Sequence, residues 1–336
     1  VDRTTVSTSG GFMPKRVITI LSLGPCLVVA ALAAGCGGES SSAGTDPPAL
    51  TKAQAQQVLT SFTDGANRAG KTLDRSELTG IEADPQLSMD GASFKLRRVI
   101  RQRPPTLRFD RAAFYIPRMS GYPRWFAADA STGAGKQSTR HALLFTQATA
   151  GAPWLLAADP FPSDAALSRV ALDAEGYATS VSPGAGEGLP IAPAKLPDTH
   201  AALLMGGSSA PGSSVLADGP RTSQTVEALR QGRTMLAKRG ISLSSRFSAA
   251  PYGVYALRTK DRGALVWYVL KQSEAYSTAK RGRLAVSGDL VGLAPANSVR
   301  NRMDSTVLVQ YLATVPPKGQ VTVSGMYRKA VTAHGS

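Results

Sequence analysis

The chain has 336 residues, 43% of them hydrophobic and 18% charged, with a formal net charge of +15 at pH 7. That length supports two domains at roughly 100–200 residues each, and the apolar content is enough for a substantial core. With only two cysteines, Cys26 and Cys36, a disulfide framework and a cysteine-based zinc site are both excluded downstream of residue 36.

The first 35 residues read as a targeting segment. Met13 is a better start than Val1. Lys15 and Arg16 form a positive n-region, residues 17–34 an apolar h-region interrupted by Gly24-Pro25, and Ala33-Ala34-Gly35 a small-residue end. Cys36 follows directly, and the stretch resembles the lipobox of bacterial lipoproteins, with Ala33 where that family usually carries Leu. The resemblance implies cleavage between Gly35 and Cys36, a diacylglycerol thioether on Cys36, and a chain anchored at the extracellular face of the cell membrane. Residues 36–50, rich in Gly and Ser, read as a flexible tether. Asp2, Arg3, Lys15 and Arg16 leave residues 1–35 at a net +2, so +13 of the +15 lies from Cys36 onward. A basic surface favours lipid headgroups or anionic envelope polymers. The basic runs are short (95–103, 280–283), so nucleic acid is not the expected partner.

In the body, Thr51 and Gln54 have capping-box spacing, and Ala55, Val58, Leu59, Phe62, Ala66 and Ala69 recur at helical intervals, predicting a helix over 52–69 stopped at Gly70. Asp74 and Glu77 open a second, shorter helix carrying Leu78 and Ile81, which should end at Asp84-Pro85. Residues 86–103 fit either a strand, from the alternation of Phe94 and Leu96, or a third helix. The period then changes to two in TLRFDRAAFYIPR, YPRWFAADAS, RHALLFTQATA and PWLLAADP, the last two forming a hairpin around 150–153.

A Pro/Gly-rich break at 182–197 marks a boundary between a first domain (51–182) and a second (197–330). In the second, a short helical stretch over 201–205 precedes a helix capped by Thr222 or Ser223, with Val226, Leu229 and Leu236 inward and Gly240 as its stop. Strands follow in YGVYALRT, ALVWYVLKQ, more weakly RLAVSGDLVGL, then STVLVQYLATV and QVTVSGMY. Val307, Val309, Tyr311, Ala313 and Val315 alternate, which predicts one buried face and one exposed face. The fold class is α+β: two domains, each with N-terminal helices on a curved antiparallel sheet, suggesting a tandem duplication. This order resembles the nuclear-transport-factor-2-like and cystatin-like folds. Four stretches, ANRAGKTLDRSELTGIEADPQLSMD, FYIPRMSGYPRWFAADA, YALRTKDRGALVWYVL and ATVPPKGQVTVSG, also resemble a domain of unknown function carried by actinobacterial lipoproteins. That resemblance covers most of 50–328 and implies a lipid-anchored envelope protein without an assigned activity.

No stretch carries a strong catalytic signature. His141, His200 and His334 lack metal-ligand spacing, and no G-x-S-x-G elbow occurs. Gly184, Gly186 and Gly188 lie between prolines, as in a linker rather than a nucleotide loop. The pairs Asp74/Glu77 and Glu82/Asp84 suit helix capping better than acid–base work. Tyr122, Arg124 and Trp125 join aromatic faces to a guanidinium, a combination suited to sugars or anions, with Tyr122 and Arg124 on one strand face and Trp125 on the other. Trp267 and Tyr268 are their candidate counterparts in the second half. The expectation is a non-catalytic binding or scaffolding module with no cofactor or metal, engaging an anionic envelope polymer or a protein partner. The alternative is an envelope enzyme whose carboxylates converge from distant strands.

Overall fold

In the computed structural model, which describes residues 46–335 apart from 134, 136–137, 187, 279–283 and 295–297, the Thr51 capping box forms as its spacing predicts. Thr51 Oγ1 accepts from the Gln54 N–H at 3.2 Å, and Gln54 Oε1 accepts from the Thr51 N–H at 2.8 Å. Gly35, Cys36 and residues 37–45 of the tether lie outside the described residues. Helix α1 (Lys52–Thr72) runs through Gly70, and its left-handed cap is Leu73 at φ 58°. Gly70 is small for a different reason: a Cβ there would come within 2.9 Å of the Pro104 ring.

Asp74 caps only a 3-10 turn (Arg75–Leu78), its carboxylate accepting from the Ser76 N–H at 2.9 Å. Residues 86–103 resolve as helix α2 (Gln86–Ile100), started by Asp84, whose Oδ1 accepts from the Ser88 backbone and hydroxyl at 3.1 and 2.6 Å. Three of the four acids in the two pairs thus act locally: Asp74 caps, Asp84 accepts from Ser88 in the first turn of α2, and Glu77 accepts from Thr72 at 2.9 Å. Glu82 is the exception, being buried.

The first sheet is an antiparallel meander of β1 (Arg111–Tyr115), β2 (Arg124–Thr132), β3 (Thr139–Gln147) and β4 (Leu155–Ala158), in that order. Helix α1 lays Leu59 and Phe62 on one face, against Leu143 and the stacked rings of Phe126 and Phe145, whose centroids are 5.0 Å apart. The second sheet has the order β5-β12-β11-β8-β6: β5 (Phe161–Pro162), β12 (Thr322–Gly335), β11 (Arg302–Val315), β8 (Ala264–Thr278) and β6 (Ile241–Ala249). Strand β7 (Tyr255–Arg258) also pairs with β8, and β9 (Leu284–Ala285) pairs with β10 (Ser298–Val299). Helices α3 (Leu196–Gly206) and α4 (Ser223–Lys238) belong to this half.

The two-domain arrangement is not confirmed. The described residues form one compact unit, and β5, from the first half of the sequence, pairs with β12. Trp125, Ala142 and Leu144 of the first sheet share a core cluster with Leu265, Trp267 and Leu312 of the second. The Trp267 indole N–H donates to Ala142 O at 3.0 Å across that layer. The break at 182–197 also packs, with Ala185, Leu189 and Ile191 against the core on the other side of the second sheet. The expected one-sided burial of β11 is therefore corrected. Val307, Val309, Tyr311, Ala313 and Val315 face the α3 side, while Leu308, Gln310, Leu312 and Thr314 are buried on the opposite face. Two packed layers, not one, cover this strand. Nor does α4 bury an inward stripe: none of its residues is fully buried, and Val226 alone among the three expected residues packs against that cluster.

A shared core predicts a single cooperative transition. Leu312→Ala should cost about 2–5 kcal/mol and shift tryptophan fluorescence and far-UV circular dichroism together in a denaturant titration. Separation of the two probes into distinct transitions would contradict a common core.

Candidate functional site

Two features stand out: an open groove on the first sheet and a largely buried polar cluster between the sheets. The groove, about 670 Å³, lies where the chain enters the fold at Pro47–Thr51 and runs along one face of α1, where Gln54, Gln57, Val58 and Ser61 follow helical spacing. Trp154, before β4, forms part of the opposite wall, its ring edge-on to Phe126 with centroids 5.2 Å apart. Arg124, at the start of β2, is the charged side chain among the described lining residues, and no carboxylate lines the groove with it. Its Nη1 donates to Ala49 O at 3.1 Å, its Nε to Gly121 O at 3.4 Å, and its guanidinium stacks on the Tyr122 ring at 5.0 Å. Backbone carbonyls and one aromatic ring thus hold a cation whose charge no acid neutralises. The amides around it retain free polar atoms. Gln54 uses Oε1 in the capping box and Gln147 donates Nε2 to Ala152 O at 2.7 Å, leaving the other end of each amide to a ligand. A cavity of this volume with an aromatic wall and a few convergent polar groups has the dimensions of a small-ligand site.

The alternation read along YPRWF holds: Tyr122 is 43% exposed and Arg124 faces the groove, while Trp125 turns into the shared core and packs edge-on to Tyr255. Trp267 and Tyr268 are each 1% exposed, so the structure does not bring them to a surface equivalent to the groove. Being adjacent on β8, they face opposite layers, Trp267 toward the first sheet and Tyr268 toward α3.

The polar cluster gathers residues the sequence left scattered. His141 of β3 donates or shares Nδ1 with Asp159 Oδ2 at 2.7 Å, and its Nε2 lies 3.0 Å from Thr132 Oγ1. The Asp159 N–H donates to Gln310 Oε1 at 2.7 Å, and Gln310 Nε2 donates to Gln86 Oε1 at 2.9 Å. Gln86 Nε2 then donates to Asp90 Oδ2 at 2.9 Å, and Tyr327 OH reaches Asp90 Oδ1 at 3.4 Å. Glu82, 2% exposed, completes the set, and one oxygen each of Glu82 and Asp159 has no partner. Burial, reinforced by the neighbouring Asp90 charge, raises the Glu82 pKa well above the ordinary carboxylate range; burial likewise raises Asp90. Burial opposes a charged His141 ring, but the charge and hydrogen bond of Asp159 outweigh it and its pKa rises. Among the described residues, no group of three or more His, Cys, Asp or Glu side chains could hold a metal ion. The cluster's buried carboxyls Glu82 and Asp90 favour the protonated form.

His200 is the opposite case. It is fully buried, Nε2 donating to Arg221 O at 2.9 Å, so Nδ1 accepts from Tyr268 OH at 2.8 Å. With no acid beside it, burial lowers its pKa to about 4. His334 lies in β12 opposite Asp304 of β11. Helical spacing alone could have exposed the Gln54–Gln57–Ser61 face. The Glu82–Asp90–Asp159 convergence had no sequence signal, because its members span three separate segments.

Comparison with known proteins places these features in a class of uncharacterised lipoproteins. One from Streptomyces coelicolor is 30% identical over 331 residues, covering 91% of this chain and 90% of the relative. One from Streptomyces avermitilis is 29% identical over 248 residues, 71% of each chain. A second from S. coelicolor is 26% identical over 299 residues, covering 86% of this chain and 87% of the relative. The chain belongs to the family described as a domain of unknown function (DUF8094), which matches residues 46–335. No solved structure matches it.

The cluster and His200 give opposite pH responses. A carboxyl whose folded pKa lies above its unfolded value, about 4.5, stabilises fully below that value and loses its contribution as pH rises through the folded pKa. Glu82→Gln cannot ionise, so its urea midpoint should fall less than the wild-type midpoint between about pH 5 and 8; parallel profiles would show that Glu82 holds no proton. His200 stabilises fully above its unfolded pKa of about 6.5 and loses up to about 3 kcal/mol as pH falls toward 4. Histidine C–H resonances followed by NMR should show one ring neutral down to about pH 4.

Proposed function

We propose that the chain is a lipid-anchored, non-catalytic binding module on the outer face of the cell membrane, taking an anionic group of an envelope component or protein partner into the groove. The observation that carries this reading is Arg124, held in place by Ala49 O, Gly121 O and the Tyr122 ring and facing no acid in the groove. Location supports it. A chain joined to lipid at Cys36 would place the groove's first residue, Pro47, eleven residues from the membrane, at most about 40 Å of extended chain. Among the described residues no helix is long and apolar enough to cross a membrane. The convergence of Glu82, Asp90 and Asp159 is what favours an envelope enzyme instead. Against that, Glu82 and Asp159 are only 2% and 8% exposed and the cluster's amides fill the space between its acids.

Crosslinking in native membranes followed by capture of the lipidated chain tests the proposal. Wild type should recover a partner or polymer that Arg124→Gln loses by tenfold or more. Equal recovery by the variant, or no recovery together with no polyanion binding at physiological salt, would overturn it.

A further inference from the structure

The end of α2 carries a feature the groove does not explain. From Lys95 to Arg103 no residue is buried. Val99 and Ile100, 55% and 44% exposed, are adjacent members of a short set of large apolar side chains left in water. Lys95, Arg97, Arg98, Arg101 and Arg103 surround them, with no acid in the segment. Among the described residues, none of these five cations makes an ion pair within 4.0 Å, although acids elsewhere pair with Arg118, Arg140, Arg230, Arg302 and Arg328. The helix closes at Arg101 in a left-handed cap, its N–H bonded to the carbonyls of Arg97 and Arg98, so the last turn is formed and rigid rather than a loose tail.

We propose that this helix end is a membrane-docking surface for anionic phospholipid headgroups, a second contact beside the Cys36 anchor. A cluster of Lys and Arg with no ion pair within 4.0 Å, Asp74 acting on Arg98 only at longer range, is drawn to an anionic leaflet. Two aliphatic side chains in its midst add what a soluble polyanion cannot satisfy, because only a bilayer offers an apolar layer beneath the charge. Wall polymers and nucleic acid would leave Val99 and Ile100 in water. Geometry permits both contacts together. The patch lies toward the C-terminal end of α1, where Pro104 touches Gly70, while the tether joins at the N-terminal end. A helix of 21 residues separates them by about 30 Å, and the chain from Cys36 to Asp46 can span about 35 Å. Docking would lay α1 along the bilayer and fix which way the groove faces, which a tether alone leaves free. This surface rests on the lipid-anchored location but not on the groove.

The test uses the chain from residue 36 with Cys36→Ser, so that no lipid contributes. Ile100→Cys in that background gives a unique site for an environment-sensitive dye, because the remaining cysteine, Cys26, precedes residue 36. Sedimentation with phosphatidylcholine vesicles containing about 30% phosphatidylglycerol should bind the chain at least tenfold more than phosphatidylcholine alone, and about 0.5 M salt should release it. The dye should shift to the blue on the anionic vesicles. Arg97→Gln/Arg98→Gln/Arg101→Gln should lose binding by tenfold or more. Val99→Ser/Ile100→Ser should weaken it severalfold while leaving circular dichroism unchanged, because these side chains are exposed. Absence of binding, equal binding to neutral vesicles, or a dye unmoved while soluble polyglutamate competes fully would each overturn the proposal; the last would point to a polyanion site. A chain that docks here yet captures no groove partner would leave this surface standing and remove the binding-module reading.

Discussion

Strands β8 and β11 pair over fourteen residues, Arg302–Val315 against 264–277, and the fold depends on the burial of both faces over 264–270 and 307–315. Such a pair reads as continuous apolar sequence and needs a packed layer on each side. One layer comes from α3 and the segment before it. The other comes from the first sheet, through Trp125 and Leu144 packed with Trp267, and from α2, through Gln86 and Met89 on Gln310. Neither half could cover this pair alone, so the first half completes the second. That closure fixes β2 and β3 as a rigid floor and thereby the place of Arg124 in the groove.

The same constraint explains the polar cluster. Where α2, the start of β5 and the middle of β11 converge, the buried face carries Gln310 instead of an aliphatic side chain, and Gln86, Asp90, Asp159 and His141 satisfy it in sequence. Such a network stabilises little but admits few alternative packings, because each displaced member would leave a buried polar atom without a partner. The free oxygen on Glu82 is tolerable because protonation removes the charge that burial penalises. The two buried histidines show how local this balance is. His141 has a carboxylate beside it and gains affinity for a proton; His200 has only a carbonyl and a phenol and loses it.

Much of the fold was legible where local chemistry decides it. The Thr51–Gln54 box, the change from helical to alternating period, the 150–153 hairpin and the strands β7, β8, β11 and β12 need no tertiary partner to be read. Three features were not. Residues 86–100 carry helical and alternating apolar positions at once, and the packing of Met89, Ala92 and Phe94 decided for the helix. Strand β6 is ISLSSRFSA, where serine replaces the apolar signal and pairing with β8 supplies the order. Burial of β11 on both faces depends on a layer more than a hundred residues away in sequence. At the site, alternation alone places Tyr122, Arg124 and Trp125, whereas aromatic content does not reveal that both strand faces are covered at Trp267 and Tyr268.

The central claim is that one core, built around β8 and β11, holds the groove-bearing sheet and the second sheet as a single body. Native-state amide hydrogen exchange under increasing denaturant tests it most directly. The slowest amides of β2 and β3, such as those of Phe126 and Leu143, should open with the same free energy and denaturant dependence as those of Val309 and Leu312 in β11. Exchange of the first sheet through a separate, lower-energy opening while β8 and β11 stay protected would contradict it.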